Sequence, residues 1–137
     1  MAVKAKICGI NSREAAAAAA GGASHIGLVF YPPSPRFVTP EQAAGLAAVV
    51  PARVKKVGLF VDSTDESIAF ILEQVPLDVL QLHGAESPER VQAVKAAKLV
   101  LYMLRHPLGF LHVAVHPKNR LRHVQGWRYF FRASGPN

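Results

Sequence analysis

The sequence predicts an α/β protein in which parallel strands alternate with helices, and three observations support this. Four apolar runs, at residues 3–8, 25–31, 54–61 and 77–82, follow one another at intervals of about 22 to 30 residues. Each run is continuously apolar, as is typical of parallel strands buried on both faces. Helix-start signals lie between the runs, so right-handed crossovers are expected to connect the strands.

The first unit pairs a lysine-bearing strand with an alanine-rich helix. The strand at residues 3–8 ends at Gly9, a residue that commonly ends a regular element. Asn11 or Ser12 then caps a helix that includes the hexa-alanine of residues 15–20. Alanine has the highest helix propensity, so this stretch predicts a helix rather than a flexible linker.

The second unit is separated from its helix by a proline-rich loop. The strand at residues 25–31 runs into the sequence PPSP at residues 32–35, which forces an irregular connection. Thr39 as N-cap and Pro40 at the first helical position then predict a helix that runs to about Val50.

Two further units complete a βαβαβαβα order. The third strand is residues 54–61, and Ser63 or Thr64 starts the helix after it; the fourth strand is residues 77–82, and its helix starts at residues 87–89. An open doubly wound sheet and a (β/α)₈ barrel both fit this order. No GxGxxG motif follows the first strand, which disfavours a dinucleotide-binding site. In both folds, chemistry is expected at the carboxyl ends of the strands.

Composition narrows the class of protein. The chain has 137 residues, of which 50% are hydrophobic, so we expect one core-forming domain rather than disorder. No run approaches the roughly 18 apolar residues of a membrane span, and the N-terminus does not read as a signal peptide. A single cysteine excludes an internal disulfide and fits a reducing compartment, which predicts a cytoplasmic protein.

The net charge of +7 is confined to the last 40 residues. Residues 1–97 contain nine basic and nine acidic residues, whereas residues 98–137 contain seven basic residues and no acidic one. Such a stretch favours a nucleic-acid partner when it is considered alone. Within it, residues 127–132 mix cations with aromatic side chains, as single-strand binders do.

The remainder of this basic stretch has little organisation. Residues 111–116 alternate like a strand and place His112 and His116 on one face, but no Cys or carboxylate joins them, so we predict no metal site. Arg, His, Pro and Gly become frequent when a coding region is translated in the wrong frame. We therefore favour a frameshifted or rearranged end over a nucleic-acid-binding tail, and predict that residues 1–97 form the folded unit while residues 98–137 are irregular or disordered.

Four motifs at the strand ends resemble one enzyme family. They are Lys6-Ile7-Cys8-Gly9-Ile10, Gly27-Leu28-Val29-Phe30-Tyr31 with Ser34-Pro35-Arg36, Val57-Gly58-Leu59-Phe60-Val61, and Gln81-Leu82-His83-Gly84. In this order and spacing, over residues 3–97, they resemble phosphoribosylanthranilate isomerase, a (β/α)₈ barrel of tryptophan biosynthesis. The resemblance implies a fold made of about four (β/α) units of a TIM barrel, followed by an irregular tail.

The resemblance also implies an activity and a site. The activity is the Amadori rearrangement of N-(5′-phosphoribosyl)anthranilate, a small phosphorylated substrate, without a cofactor. Cys8 matches the general base, because a thiol near cations can lose its proton and accept another. Arg36 matches the residue that grips the anthranilate, and Gln81 and His83 match positions that line the site. Asp62 is expected only to cap the third helix.

Residues 98–137 do not supply what the resemblance requires. The family's fifth strand provides an aspartate as general acid, yet no Asp or Glu follows Glu89. The Gly-rich phosphate turns of the last strands are also missing. We therefore predict an inactive or impaired isomerase chain that self-associates through exposed strand edges. The alternative hypothesis is a non-catalytic binding module whose basic, aromatic end binds nucleic acid or an acidic partner.

Overall fold

A computed structural model describes the side chains of residues 4–94. It also describes the backbone of Lys95 and of four later strands. The elements in chain order are β1 (Ala5–Cys8), α1 (Arg13–Ala20), β2 (His25–Val29), α2 (Pro40–Ala48), β3 (Lys55–Phe60), α3 (Asp65–Gln74), β4 (Val79–Leu82), α4 (Pro88–Lys95), β5 (Val100–His106), β6 (Gly109–Val115), β7 (Leu121–His123) and β8 (Arg128–Tyr129). The four predicted βα units are therefore confirmed.

The strands form one sheet in the order β7-β6-β5-β4-β3-β2-β1-β8. The pairs from β8 through β1, β2, β3 and β4 to β5 are parallel, which for β1 to β4 is what the continuous apolar runs predict. The pairs β5–β6 and β6–β7 are antiparallel. The segment expected to be irregular, residues 98–137, therefore contributes four strands. The outer edge of β4 has backbone N–H and C=O groups that need hydrogen-bond partners. The apolar run that follows α4 forms β5 and pairs with this edge.

The helices begin where their capping residues predict. The side chains of Ser12, Thr39 and Thr64 accept hydrogen bonds from backbone N–H groups three residues later, at the starts of α1, α2 and α3. Thr39 and Gln42 form a full capping box. Each such cap stabilises its helix by about 1 kcal/mol, so the βα boundaries are determined locally.

The main hydrophobic core lies between the helices and the outer face of the sheet. From α1 it receives Ala16, Ala19 and Ala20, whose spacing places them on one helical face. From the strands it receives the fully buried Ile26 and Leu80, and each such side chain contributes about 1.5–3 kcal/mol. In the described part of the chain, no helix is long and apolar enough to cross a membrane.

The opposite face of the sheet is concave. The side chain of Lys6 on β1 donates to Oε1 of Gln81 on β4 at 2.5 Å, although two strands lie between them. In a flat sheet these strands would be about 14 Å apart, three spacings of about 4.8 Å. The contact therefore requires the sheet to curve around this face, as the wall of a barrel does.

Candidate active site

A cavity of about 340 Å³ opens at the carboxyl ends of β1 to β4. Its lining comprises Cys8, Gly9, Val29, Tyr31, Ser34, Arg36, Leu59, Val61 and His83. Three of the four predicted site residues, Cys8, Arg36 and His83, thus come together from three different strand ends. Gln81 is not among the lining residues and is only 2% exposed. The site is located where parallel α/β folds carry their chemistry.

The end of β1 holds the Cys8 thiol at the rim of the sheet. The backbone N–H groups of Gly9 and Ile10 both donate to the carbonyl of Gly27 at 3.0 Å, which fastens the turn to β2. Gly9 has a φ of +78°, a conformation that side-chain-bearing residues adopt only with strain. This turn ends the strand immediately after Cys8, so the half-buried thiol faces the cavity.

The loop after β2 brings Arg36 across to β1. The Arg36 backbone N–H donates to Oγ of Ser34 at 3.2 Å, and Nη1 donates to the carbonyl of Gly9 at 3.3 Å. A Cβ on Gly9 would lie 2.2 Å from Cδ of Arg36, so the arginine can cross here only because position 9 is glycine. The guanidinium is thereby held against the turn that follows Cys8, at the cavity that both residues line, where a planar fork of donors suits a carboxylate.

A pair of acidic residues fixes the loop that carries His83. The carboxylate of Glu86, which is 7% exposed, accepts from the backbone N–H of Asp62 at 3.0 Å and of Gly84 at 2.7 Å. Asp62 Oδ1 in turn accepts from the N–H of Ala85 at 2.8 Å. Asp62 therefore does not cap the third helix as expected. It joins the loops after β3 and β4, and Thr64 caps the helix.

The structure gives Gln81 a contact that its sequence position did not predict. Its side-chain oxygen accepts from Lys6 beneath the cavity floor, so the predicted substrate-binding role lacks a direct contact with the cavity. Lys6, with 1% exposure, is the functional candidate that the sequence analysis missed. Its signal was present, because residues two apart on a strand share a face and Lys6 precedes Cys8 by two.

Two histidines near this face resist protonation. Burial lowers the pKa of His83, the charge of Lys6 lowers it further, and Glu86 partly opposes both. Burial also lowers the pKa of His25 to about 4, aided by Lys4, Lys6 and Lys55 and opposed by Asp78. At neutral pH both imidazoles are therefore uncharged, and His83 presents a neutral ring to the cavity.

Stability should consequently fall in mild acid. Between pH 6.5 and about 4, His25 in the unfolded chain takes up a proton that folded His25 refuses, so the free energy of unfolding decreases as pH falls through this window. After allowance for solvent screening at a half-buried site, we expect a loss of about 1–3 kcal/mol. Urea unfolding of the protein and of His25→Gln at several pH values measures this loss. The variant should show a shallower slope, and equal slopes would contradict the assignment.

Several predictions made for residues 98–137 concern side chains that the structure does not describe. His116, Trp127 and residues 130–132 lie outside the described residues. The strand predicted at residues 111–116 is confirmed for residues 111–115, which lie within β6, where the backbone of His112 pairs with Met103. The predicted boundary at residue 97 stays a prediction.

The sequence is similar to that of one enzyme family. The sequence profile of the family described as N-(5′-phosphoribosyl)anthranilate (PRA) isomerase matches residues 5–125. The isomerase of that name from Rhodospirillum centenum is 59% identical over 98 residues, covering 71% of this chain and 46% of the relative. That from Paracoccus denitrificans is 57% identical over 97 residues, covering 70% and 45%. The chain thus spans about half the length of the curated relatives it matches.

Solved structures agree with the sequence relatives. The phosphoribosyl anthranilate isomerase of Thermus thermophilus superposes with a TM-score of 0.72 at 35% identity, covering 76% of this chain and 52% of that chain. That of Thermotoga maritima gives 0.71 at 37% identity, covering 74% and 50%. These are TIM barrels, in agreement with the curved parallel sheet, so the four described βα units are units of that fold. Fold, motifs and profile together establish that the chain belongs to the N-(5′-phosphoribosyl)anthranilate isomerase family.

Proposed function

We propose that this chain carries the general-base and anthranilate-binding part of a phosphoribosylanthranilate isomerase site. The observation that carries the proposal is the convergence of Cys8, Arg36 and His83 on one cavity at the ends of β1, β2 and β4. A solved relative binds reduced 1-(o-carboxyphenylamino)-1-deoxyribulose 5-phosphate, whose carboxyphenyl group needs a carboxylate partner. Arg36, which lines the same cavity as Cys8 and donates to the carbonyl of Gly9, supplies the appropriate donors.

The reaction consists of two proton transfers on one substrate. An acid first protonates the furanose ring oxygen, so the C1′–O bond breaks and the anthranilate nitrogen forms a Schiff base with C1′. A base then removes the proton from C2′, which gives an enolamine that tautomerises to the 2′-ketone. In this proposal the Cys8 thiolate takes the C2′ proton, and Arg36 holds the anthranilate carboxylate so that C2′ faces the sulfur. The neutral imidazole of His83 lines the cavity and can form a hydrogen bond with the substrate.

The described half-site does not contain every group that this reaction needs. No acidic residue follows Glu89 in the sequence, so the strand-five carboxylic acid implied by the family is not supplied by residues 98–137. Loss of a general acid alone costs about 10²–10⁴-fold in rate. We therefore propose that the 137-residue chain by itself is an inactive or severely impaired isomerase.

Turnover in two proteins tests both parts of this proposal. One is the 137-residue chain, and the other is a chimera that joins its residues 1–97 to the C-terminal half of the Rhodospirillum centenum relative. Loss of anthranilate fluorescence reports conversion of the substrate. We expect turnover by the chimera and none above background by the chain, whose β7 and β8 edges also favour self-association on size-exclusion chromatography.

The two parts of the proposal have separate contradicting outcomes. Near-normal turnover by the 137-residue chain would refute its predicted inactivity. A chimera that has native circular dichroism but no turnover would refute the isomerase assignment of residues 1–97. The proposed chemistry involves no cofactor. The single cysteine and a phosphorylated metabolic substrate support a cytoplasmic location.

A further inference from the structure

Lys6 is a basic residue at a position where a positive charge is costly. It lies on the concave face of β1 with 1% of its surface exposed, two residues before Cys8. A buried ammonium is tolerated only when it is hydrogen-bonded and its charge is compensated. Oε1 of Gln81 meets the first need by accepting from Nζ at 2.5 Å, but an amide oxygen carries no formal charge. The second need points to a nearby anion.

The thiol of Cys8 is the group placed to become that anion. Both side chains lie against the bare Cα of Gly27 on the neighbouring strand. A Cβ at Gly27 would lie 2.7 Å from Sγ of Cys8 and 3.2 Å from Cε of Lys6, so the end of the lysine and the sulfur share the space that glycine leaves open. No larger residue at position 27 would permit this approach.

The Cys8 side chain favours the charged form of Lys6, in agreement with this geometry. Burial lowers the pKa of Lys6 below its ordinary value, and the charge of Cys8 and a hydrogen bond with the Cys8 side chain oppose that lowering. Such an interaction is reciprocal, since a thiolate that favours the ammonium is favoured by it to the same extent. Among the side chains that the structure describes, His25 and His83 are the other titratable groups on which the charge of Lys6 acts. Both of these histidines are neutral at pH 7, and Arg36 lies beyond Gly9 at the rim.

We propose that Lys6 is a positioning residue whose ammonium stabilises and orients the Cys8 thiolate, with Gln81 holding the ammonium in place. The inference rests on the proposed function, in which Cys8 is the base. Lys6 acts from below the cavity floor, because the described lining includes Cys8 but not Lys6. Gln81 thereby gains a role that differs from the substrate contact expected of it.

Alkylation of the thiol tests this inference in the 137-residue chain without requiring turnover. The chain has a single cysteine, so the rate of iodoacetamide incorporation across a pH series reports Cys8 alone. Lys6→Met removes the charge and leaves an unbranched side chain that is one atom shorter. We expect its alkylation at pH 7 to be about tenfold slower and the midpoint of the pH profile to move up by about one unit.

Lys4→Met is the matched control, because it removes an exposed lysine just before the same strand. We expect a less than roughly twofold change in its alkylation rate. A Lys6→Met protein that has native circular dichroism and the wild-type pH profile would overturn the proposal. If Lys6→Met does not fold, Lys6→Gln, a neutral and polar replacement, takes its place. Slower alkylation by that folded variant at pH 7 supports the proposal, and the wild-type pH profile overturns it.

Alkylation and turnover can fail independently. A chimera without turnover refutes the isomerase assignment and leaves the Lys6–Cys8 pair measurable. Unchanged alkylation in Lys6→Met refutes the pair and leaves the base assignment to the turnover experiments.

Discussion

Replacing Cys8 with serine in the chimera should lower kcat by about 10²–10⁴-fold, the usual contribution of a general base. Serine has nearly the same shape, but its hydroxyl remains protonated at neutral pH and cannot accept the C2′ proton. KM should change little, because in the proposed geometry the sulfur acts on C2′ while Arg36 holds the anthranilate. Fluorescence assays over a range of substrate concentrations separate the two constants.

Arg36→Met in the same chimera is the companion variant. Its long apolar side chain keeps the packing over Gly9 but loses the charged donors, so we expect KM to rise about tenfold or more. If Cys8→Ser lowers mainly kcat and Arg36→Met raises mainly KM, proton transfer is assigned to Cys8 and substrate binding to Arg36. A Cys8→Ser chimera that retains kcat within about threefold would contradict the base assignment.

Gly84→Ala should destabilise the protein by about 2–3 kcal/mol. Its Cβ would lie 2.4 Å from Oδ1 and 2.8 Å from the backbone N of Asp62. Asp62 cannot easily move away, because it has a φ of 48° and is bonded to Glu86 and Ala85. The clash should therefore break the connection between the loops after β3 and β4. The midpoint of urea unfolding measures the cost.

Gly45→Ala provides a control with the opposite sign. Gly45 lies inside α2, and a Cβ there would meet nothing within 4 Å. Alanine lowers the entropy of the unfolded chain and favours helix, so we expect stabilisation by about 0.5–1 kcal/mol. If Gly84→Ala is as stable as the wild type, the loop connection does not contribute to the stability of this fold.

Much of the fold followed from local chemistry. Thr39 and Thr64 start their helices in the structure because a hydroxyl at an N-cap satisfies a backbone N–H that no other part of the helix can satisfy. The parallel strands followed from apolar runs that can only be buried on both faces. The antiparallel β6 and β7 were not predicted, apart from the alternation in residues 111–116, because strand direction depends on which edge a segment meets.

The residues of the candidate site could be predicted from the sequence where they follow the end of a strand. Cys8, Arg36 and His83 each follow a strand closely, and parallel topology brings such positions to one edge of the sheet, where they line one cavity. The role of Asp62 was wrongly predicted and Glu86 was missed, because their hydrogen bonds join loops that are 24 residues apart in sequence. Sequence spacing does not reveal which backbone N–H groups such carboxylates will reach.

The sequence by itself determined the order of βα units, their caps, the family motifs and the edge of the sheet at which the candidate site lies. These depend on propensity, periodicity and residue identity, which act over a few residues. Only the tertiary structure decided that Gln81 holds Lys6 and that Lys6 lies beneath Cys8. Those contacts depend on the curvature of the sheet and on the space at Gly27, and curvature arises from the packing of all the strands together.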